Sequence, residues 1–550
     1  VLPQSALTAT STRLPIDIRR FPWIRRLAAD YAYDYPRLAD FFAGNPADSS
    51  AWNEAIARTQ RARRPSEAIF NVVQAQLRRR GAPPESIAAA SQLRDPKTVA
   101  VVTGQQAGLF GGPLFTLLKA LNAIKLAERV RTQHRVPAVA VFWIDSEDHD
   151  WDEVKRAGVL DSDLNLQHVS LGDPPGAHQG PVARVKLDES VAAAIDALRT
   201  ILPTTEFTPV VLETLARIYR PGVGMADAFG QFLETVLGPQ GLIVYDAADP
   251  AAKPLLANVF RQEIERAGET SRLAADAGAA LQARGYHAQV TPHEGSVALF
   301  HLDGGRQPIR QQDGRFQWGE ASATRGDVLA LIDRAPHELS PNVLLRPLVQ
   351  DTLFPTVCYV SGPSELAYLG QLGGVYEAFG IPRPLIYPRA SATLLDSNAM
   401  RFLGKHDFPL ESLRAQDEAA LNQLLEAQLP PTVEATYEDA ARTVEERMEA
   451  LAAAVPQIDT TLEGATRSTL GRMRDDLKKL HNKIIQAAKR KDETLRRQFK
   501  HAQAQAFPGG HPQERELGFV CFLNKYGPTL VDRLGDELSL EMGTHWVITI

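Results

Sequence analysis

Six carboxylates and one imidazole crowd into a single nine-residue stretch of this chain. Asp145, Glu147, Asp148, His149, Asp150, Asp152 and Glu153 follow directly on the apolar run 139–144. Like charges so close together repel one another unless a metal, an ammonium group or solvent compensates them. Two chemistries fit: a general acid/base pair drawn from Glu147, Asp148 and His149, or an oxygen and nitrogen ligand set, with Asp150, for a divalent ion. In the second case the Glu-Asp-His-Asp loop would serve a metal-dependent hydrolase. A solvated acidic loop is the plain alternative. Position argues for function, because open α/β sheets bind ligands at the carboxyl ends of their strands.

A second segment, TVAVVTGQQAGLFGGPLFTLLK at 98–119, carries a different device. Residues 99–102 read as a buried strand, after which Gly104, Gly108, Gly111 and Gly112 let the backbone turn sharply. Pro113 then falls in the first turn of a helix continuing through Leu114, Leu117, Leu118, Leu121, Ile124 and Leu126. A free, electropositive helix start would face the loop and attract an anion. Gln105 and Gln106 offer amides to a polar ligand. The glycine spacing matches neither the dinucleotide fingerprint nor the P-loop, and an ordinary strand-to-helix turn would also explain it.

Further polar groups stand at expected strand or loop ends. Arg346, Gln350 and Asp351 lie among apolar residues, an awkward placement unless they pair or bind something. Gly362, Glu365 and Tyr368 repeat the pattern of strand, turn and helix start with an early acidic residue. Arg389 and Ser391 follow the PLIYP run and are placed to close a pocket on an anionic group.

The elements that must hold these groups follow from periodicity. Residues 14–94 read as helices broken by prolines. Buried strands recur at 241–246, 355–362 and 384–388 with helical material between, which predicts an α/β fold with a mostly parallel, doubly wound sheet. The stretch 286–318 alternates short strands with Gly-containing turns and reads as an antiparallel insertion. Over 410–506, Val444, Met448, Leu451, Val455, Ile458 and Leu462, and later Met473, Leu477, Leu480, Ile484 and Ala487, step by fours and threes as a heptad seam. Pro456 with Asp459, Thr460 and Thr461 predicts a turn, hence an antiparallel hairpin whose second helix runs to about residue 506. Its seam is expected to dimerise the protein. The expected division is a core over 1–400, the helical hairpin over 410–506, and a segment over 507–550 that returns to the core.

Composition narrows the class. The chain has 550 residues, 44% hydrophobic and 23% charged, with a net charge of −6. That balance gives ample core for more than one domain and argues against bulk nucleic-acid binding. Two cysteines, Cys358 and Cys521, sit in apolar runs and read as small buried residues in a reducing cytoplasm, with neither a disulfide nor a metal site. No stretch approaches the roughly 18 apolar residues of a membrane span, and the N-terminus lacks a signal-peptide pattern.

Several motifs occur together and in order: TGQQAGLFGGPLFTLLKA, FWIDSEDHDWDE, LLRPLVQDTLFPT, GPSELAYLGQL, QER at 513–515 and FLNKYG at 522–527. In this the chain resembles, over almost its whole length, the cysteine ligase family of bacillithiol biosynthesis. The resemblance implies a Rossmann-like core similar to nucleotidylyltransferases and class I aminoacyl-tRNA synthetases, with inserted connecting segments and a coiled coil that pairs two chains. It implies the joining of cysteine to the amine of glucosaminyl malate, with ATP and Mg as the candidate activating pair. Residue by residue it carries over Gln105, Gln106, Gly112, Pro113, Glu147, Asp148, His149, Asp150, Arg346, Gln350, Asp351, Gly362, Glu365, Tyr368 and Arg389. The GGPL turn at 111–114 stands where the synthetase HIGH signature would lie, without its histidines, and no lysine-rich loop follows Arg389. A ligand-binding coiled-coil scaffold without catalysis is the remaining alternative.

Overall fold

The computed structural model describes residues 13–293, 295–426, 431–491 and 493–550. They fall into two compact units. The larger comprises residues 13–393 with Gln513–Ile548, and the smaller Leu394–Pro512 with Thr549–Ile550.

The larger unit is built on five strands, β1 (Val99–Gln105), β2 (Ala138–Ile144), β3 (Ile243–Asp246), β4 (Thr356–Ser361) and β5 (Leu385–Pro388). All neighbours run parallel, in the order β5-β4-β1-β2-β3. Every residue of β2, β3 and β4 is buried. Their near-continuous Val, Ile and aromatic runs are what a parallel sheet covered on both faces requires. The covering helices include α1 (Leu114–Arg129) on β1 and β2, with Ser66–Arg80 against β3 and Ser49–Arg61 against β4 and β5. From β1 the chain steps outward through β2 to β3, then returns to the other side of β1 as β4. The crevice between the ends of β1 and β4 is therefore the point where strand order reverses, the place where such sheets hold ligands.

Three local features differ from the sequence reading. The N-terminal region opens with a strand, Arg13–Asp17, before its helices. That strand pairs antiparallel with Thr544–Thr549, Arg13 opposite Ile548. Five residues whose partner lies at the other end of the chain leave no periodic signal. The antiparallel insertion extends past 318: Ser296–His301, Gln307–Gln312, Arg315–Trp318, Ala321–Ala323 and Leu339–Pro341 form one five-stranded sheet. A β-hairpin, Arg156–Leu160 with Leu166–Ser170, follows the acidic loop.

In the smaller unit Pro431–Ala454 and Leu462–Lys491 pack on one another across a turn containing the 3₁₀ segment Val455–Gln457, so the hairpin is present. Glu493–Ala506 forms a further helix and packs on Ser397–His406, with Phe402 and Phe499 edge to face at 6.1 Å. The hairpin covers the seam only in part, leaving Val444, Met448, Val455, Leu477 and Ile484 half-buried. Leu451, Ile458, Leu462, Met473 and Leu480 stay exposed, while Ala452, Leu470 and Ile485 are buried. Cys358 is buried and Cys521 half-buried, both as free thiols. Among the described residues no helix is long and apolar enough to cross a membrane.

The turn after β1 depends on glycine at residue 111, where φ is +91° and an added Cβ would lie 2.4 Å from the Phe519 ring. Gly111→Ala should therefore lower unfolding stability by about 1–3 kcal/mol, from backbone strain and overpacking together. Urea unfolding of the variant beside the wild type measures it; an unchanged midpoint would mean that Phe519 yields freely.

Candidate functional site

At the reversal point the strand ends surround a cavity of about 420 Å³, within the size range of small-molecule sites. Its floor is β1 and β2. Gly104 allows them to close, since a Cβ there would sit 2.8 Å from the Trp143 carbonyl oxygen. The Gly104 carbonyl accepts from Lys119 Nζ of α1 at 2.8 Å, and the same ammonium pairs with Glu365 at 2.6 Å.

Glu365 begins a short helix, α2 (Glu365–Gly370), and is held from several sides. It accepts from the Gly362 amide at 2.6 Å, the Tyr359 hydroxyl at 2.8 Å and the Tyr368 hydroxyl at 3.3 Å. Against the effect of burial, Lys119 and these donors hold the Glu365 carboxyl below its ordinary value. Arg346 reaches the Tyr368 hydroxyl at 2.8 Å and stands 3.7 Å from Asp145.

The acidic loop spreads instead of converging. Glu147 turns inward to a buried ion pair with Lys253, whose ammonium also donates to the Leu339 carbonyl. Burial pushes the Glu147 carboxyl up, with Lys253 opposing. Asp148 lines the cavity and accepts from Gln106 Nε2 at 2.5 Å and the His149 amide at 2.7 Å. Arg306, from the antiparallel insertion, lies 3.9 Å from Asp148 and 4.0 Å from the Phe300 ring centroid. His149 is exposed, and Asp150 caps the short helix Trp151–Val154 through the Glu153 amide at 3.1 Å. His149 Nδ1 stays 3.3 Å from Asp148 and 3.4 Å from Arg306, whereas Glu147 and Asp150 are engaged elsewhere, so the four groups of the loop do not converge as one ligand set. Among the described residues the acidic and imidazole groups close enough to share an ion are Asp152, Asp173 and His178, all exposed. Lys155 lies 2.6 Å from Asp152 and 3.0 Å from Asp173, and offsets part of their charge.

The glycine turn also departs from expectation. Gly112 and Pro113 face the C-terminal segment: the Leu114 amide donates to the Leu517 carbonyl at 2.8 Å, and the Phe519 amide to the Gly112 carbonyl at 3.1 Å. The start of α1 is therefore covered by protein and not free for an anion. Gly108 packs against the Gly112 backbone. Gln350 and Asp351 are buried away from the cavity, where Asp351 accepts from the Tyr376 hydroxyl at 2.5 Å and Gln350 Nε2 at 3.0 Å. Burial pushes Asp351 up to about 6.

Arg389 lines the cavity but is already paired. It grips Glu514 in a fork, at 2.9 and 2.6 Å, and the Ser391 hydroxyl donates to the same carboxylate at 3.1 Å. Against burial, Arg389 keeps the Glu514 carboxyl below its usual value. Arg515, next in sequence, lines the cavity with no ion pair among the described residues, its guanidinium 5.9 Å from the Phe115 ring centroid.

Of the residues singled out from sequence, the cavity brings together Gln105, Gln106, Glu147, Asp148, Arg346, Gly362, Glu365, Tyr368 and Arg389. It leaves out Gly108, Gly112, Pro113, His149, Asp150, Gln350 and Asp351. It also takes in Asp145 and Glu153 of the acidic cluster, and it adds Lys119, Arg306, Tyr359 and Arg515. Lys119 had a signal, a lone cation in the otherwise apolar LFTLLKALNA; Arg306 had none, since its loop is local and polar throughout.

A Rossmann-like α/β unit with a charged cavity at its strand reversal, followed by a helical-hairpin unit, defines a two-part architecture. Two family models match it in sequence: the bacillithiol biosynthesis BshC N-terminal Rossmann-like domain over residues 14–390, and the BshC C-terminal coiled-coil domain over residues 392–550. The chain belongs to this BshC family of bacillithiol biosynthesis. Relatives named "Putative cysteine ligase BshC" include one from Salinibacter ruber, 34% identical over 561 residues and covering 100% of both chains. Another, from Koribacter versatilis, is 34% identical over 525 residues, covering 95% of this chain and 97% of its own. A third, from Chlorobaculum tepidum, is 34% identical over 468 residues, covering 82% of each.

The Glu147–Lys253 pair supplies a test of the site's electrostatics. Lys253→Met leaves a buried carboxylate unpaired and should cost about 3–5 kcal/mol at neutral pH. A carboxyl with a raised folded-state value binds protons more readily folded than unfolded, so its stabilising contribution is present at low pH and falls as pH rises through that value. The deficit should shrink toward pH 4–5 in denaturant titrations (about the ordinary Glu range). A deficit independent of pH would locate the cost in packing instead.

Proposed function

We propose that the protein is a ligase that joins the carboxyl group of cysteine to the amine of glucosaminyl malate, in the cytoplasm. The observation that carries this reading is the pair of loose ion contacts in the cavity, Arg346 to Asp145 at 3.7 Å and Arg306 to Asp148 at 3.9 Å. Both are too long for hydrogen bonds, so each leaves a cation and an anion ready to be bridged. Both substrates carry an ammonium and at least one carboxylate, and a zwitterion inserted between such partners satisfies both. Arg515 offers a further cation at the cavity for the malate carboxylates or a phosphate. Family membership and the names of the relatives support the same chemistry.

Amide formation from a free carboxylate requires activation, and ATP with Mg is the proposed source. Purified protein incubated with cysteine, glucosaminyl malate and ATP-Mg should yield the conjugated thiol with one ADP or AMP per product. No thiol would overturn the ligase reading; thiol without nucleotide consumption would remove ATP alone.

The hairpin is proposed to join two chains. Leu451, Ile458, Leu462, Met473 and Leu480 are 38–84% exposed in the single chain, an apolar series that a second hairpin would cover. Leu480→Glu should give a monomer in sedimentation with its thermal transition little changed, since that side chain is already exposed at 53%. A persisting dimer would place the interface elsewhere.

A further inference from the structure

An amine attacks an acyl carbon only through a free lone pair, so a ligase acting on an ammonium group needs a base beside it. The cavity offers five carboxylates, and four are committed or misplaced. Glu147 is consumed by Lys253, and Glu365 by Lys119, two tyrosine hydroxyls and an amide. Asp148 already accepts from Gln106 Nε2 and from the His149 amide, so its oxygens are partly occupied where those of Asp145 are not. Glu153 is exposed at the rim.

Asp145 is different. It is the residue immediately after β2, on the cavity floor, and its backbone amide is fixed to the Gln105 carbonyl at 3.0 Å. Its carboxylate oxygens accept no hydrogen bond from the described residues. The nearest cation, Arg346, is held aside by the Tyr368 hydroxyl and reaches no closer than 3.7 Å. The side chain keeps 30% of its surface, enough for a ligand to reach it.

We propose that Asp145 is the carboxylate that receives the ammonium of the amine substrate and takes its proton. This rests on the ligase reading above. In the step an N–H bond of the ammonium breaks, its electron pair stays on nitrogen, and an O–H bond forms on Asp145. Two opposite charges become a neutral amine and a neutral acid, and the freed lone pair is available to the activated carboxyl. The charged groups around Asp145 set its tendency to accept. Burial, Asp148 and Glu365 push its carboxyl up, while Arg346 and Arg306 pull it down, with burial dominant and the net direction upward. Arg346 is then a positioning residue, near enough to oppose the effect of burial on the Asp145 carboxyl and too far to occupy it.

The test uses the full-length protein. Glucosaminyl malate binding is followed by calorimetry from pH 5 to 8, and thiol formation with cysteine and ATP-Mg is assayed over the same range. Wild type should bind and turn over, with kcat/KM rising as Asp145 loses its proton. Asp145→Asn should bind at least about tenfold more weakly, lose about 10²-fold or more in kcat, and show in place of the wild-type acid limb only the one that the substrate amine's own deprotonation imposes. Asp145→Glu, which keeps the charge one methylene further out, should retain an acid limb at reduced rate, and it carries the test if the asparagine variant does not fold. Wild-type affinity, rate and acid limb in the variants would overturn the assignment of Asp145. Wild type that neither binds nor reacts would overturn the ligase reading itself, so the two failures are distinguishable.

Discussion

Charge on the carboxyl edge of a sheet buried on both faces is the constraint around which the larger unit is organised. Water cannot reach the floor of that edge freely, so an ion there is tolerable only beside a counter-ion with further hydrogen bonds. Each solution is long-range. Lys119 meets Glu365 across 246 residues of chain, Arg389 meets Glu514 across 125, and Lys253 meets Glu147 across 106. Buried pairs of this kind add little net stability compared with apolar packing, but removing one partner is costly, so they fix which segments must meet. The strands, the antiparallel insertion and the C-terminal segment are registered against one another partly by these charges.

The C-terminal segment shows what that registration does to the site. Gln513–Glu516 brings Glu514 to Arg389, and the following backbone then covers the start of α1 through Leu517 and Phe519. A helix start that could have held an anion is used instead as a docking point for the chain itself. Cationic side chains reach the cavity instead from segments inserted in or returned to the sheet, as Arg306 and Arg515. The glycines of the turn serve close packing: Gly111 lies under Phe519, and Gly108 lies against Gly112.

What the sequence displayed was local. The parallel strands were legible because both faces are buried and their apolar runs are continuous, and the hairpin because helical periodicity persists over many turns. The cavity was legible at Gln106, Asp148, Arg346, Glu365 and Tyr368, polar residues placed at strand or helix ends. What failed were inferences about direction. The cluster from Asp145 to Glu153 looks like one site in sequence, yet successive residues of a tight loop point to different sides, so Glu147 goes inward and Asp150 caps a helix. Asp351 looked functional near Arg346, but five residues along a helix carry it about 140° round from that arginine, and it faces Tyr376 instead. The strand Arg13–Asp17 and the Arg306 contact depend on partners that no local pattern reveals.

The loose contacts in the cavity gain their meaning from this background of satisfied charges. Every deeply buried ion around the site has a partner within hydrogen-bond reach, so the fold is able to close such pairs where closure is required. At Arg346 with Asp145 and at Arg306 with Asp148 it does not close them. Two unit charges near 4 Å attract by about 4 kcal/mol at an intermediate effective dielectric, and at that separation their donors and acceptors remain incompletely used. Tyr368 and the Pro341 carbonyl, by holding Arg346 and Arg306, maintain the separation. A bipolar ligand entering between them exchanges two long contacts for several short ones, and the protein need not reorganise to make them. Preorganised separation of this kind discriminates by charge pattern: a ligand with charge of one sign alone satisfies half of the site and leaves the other half facing its uncompensated partner.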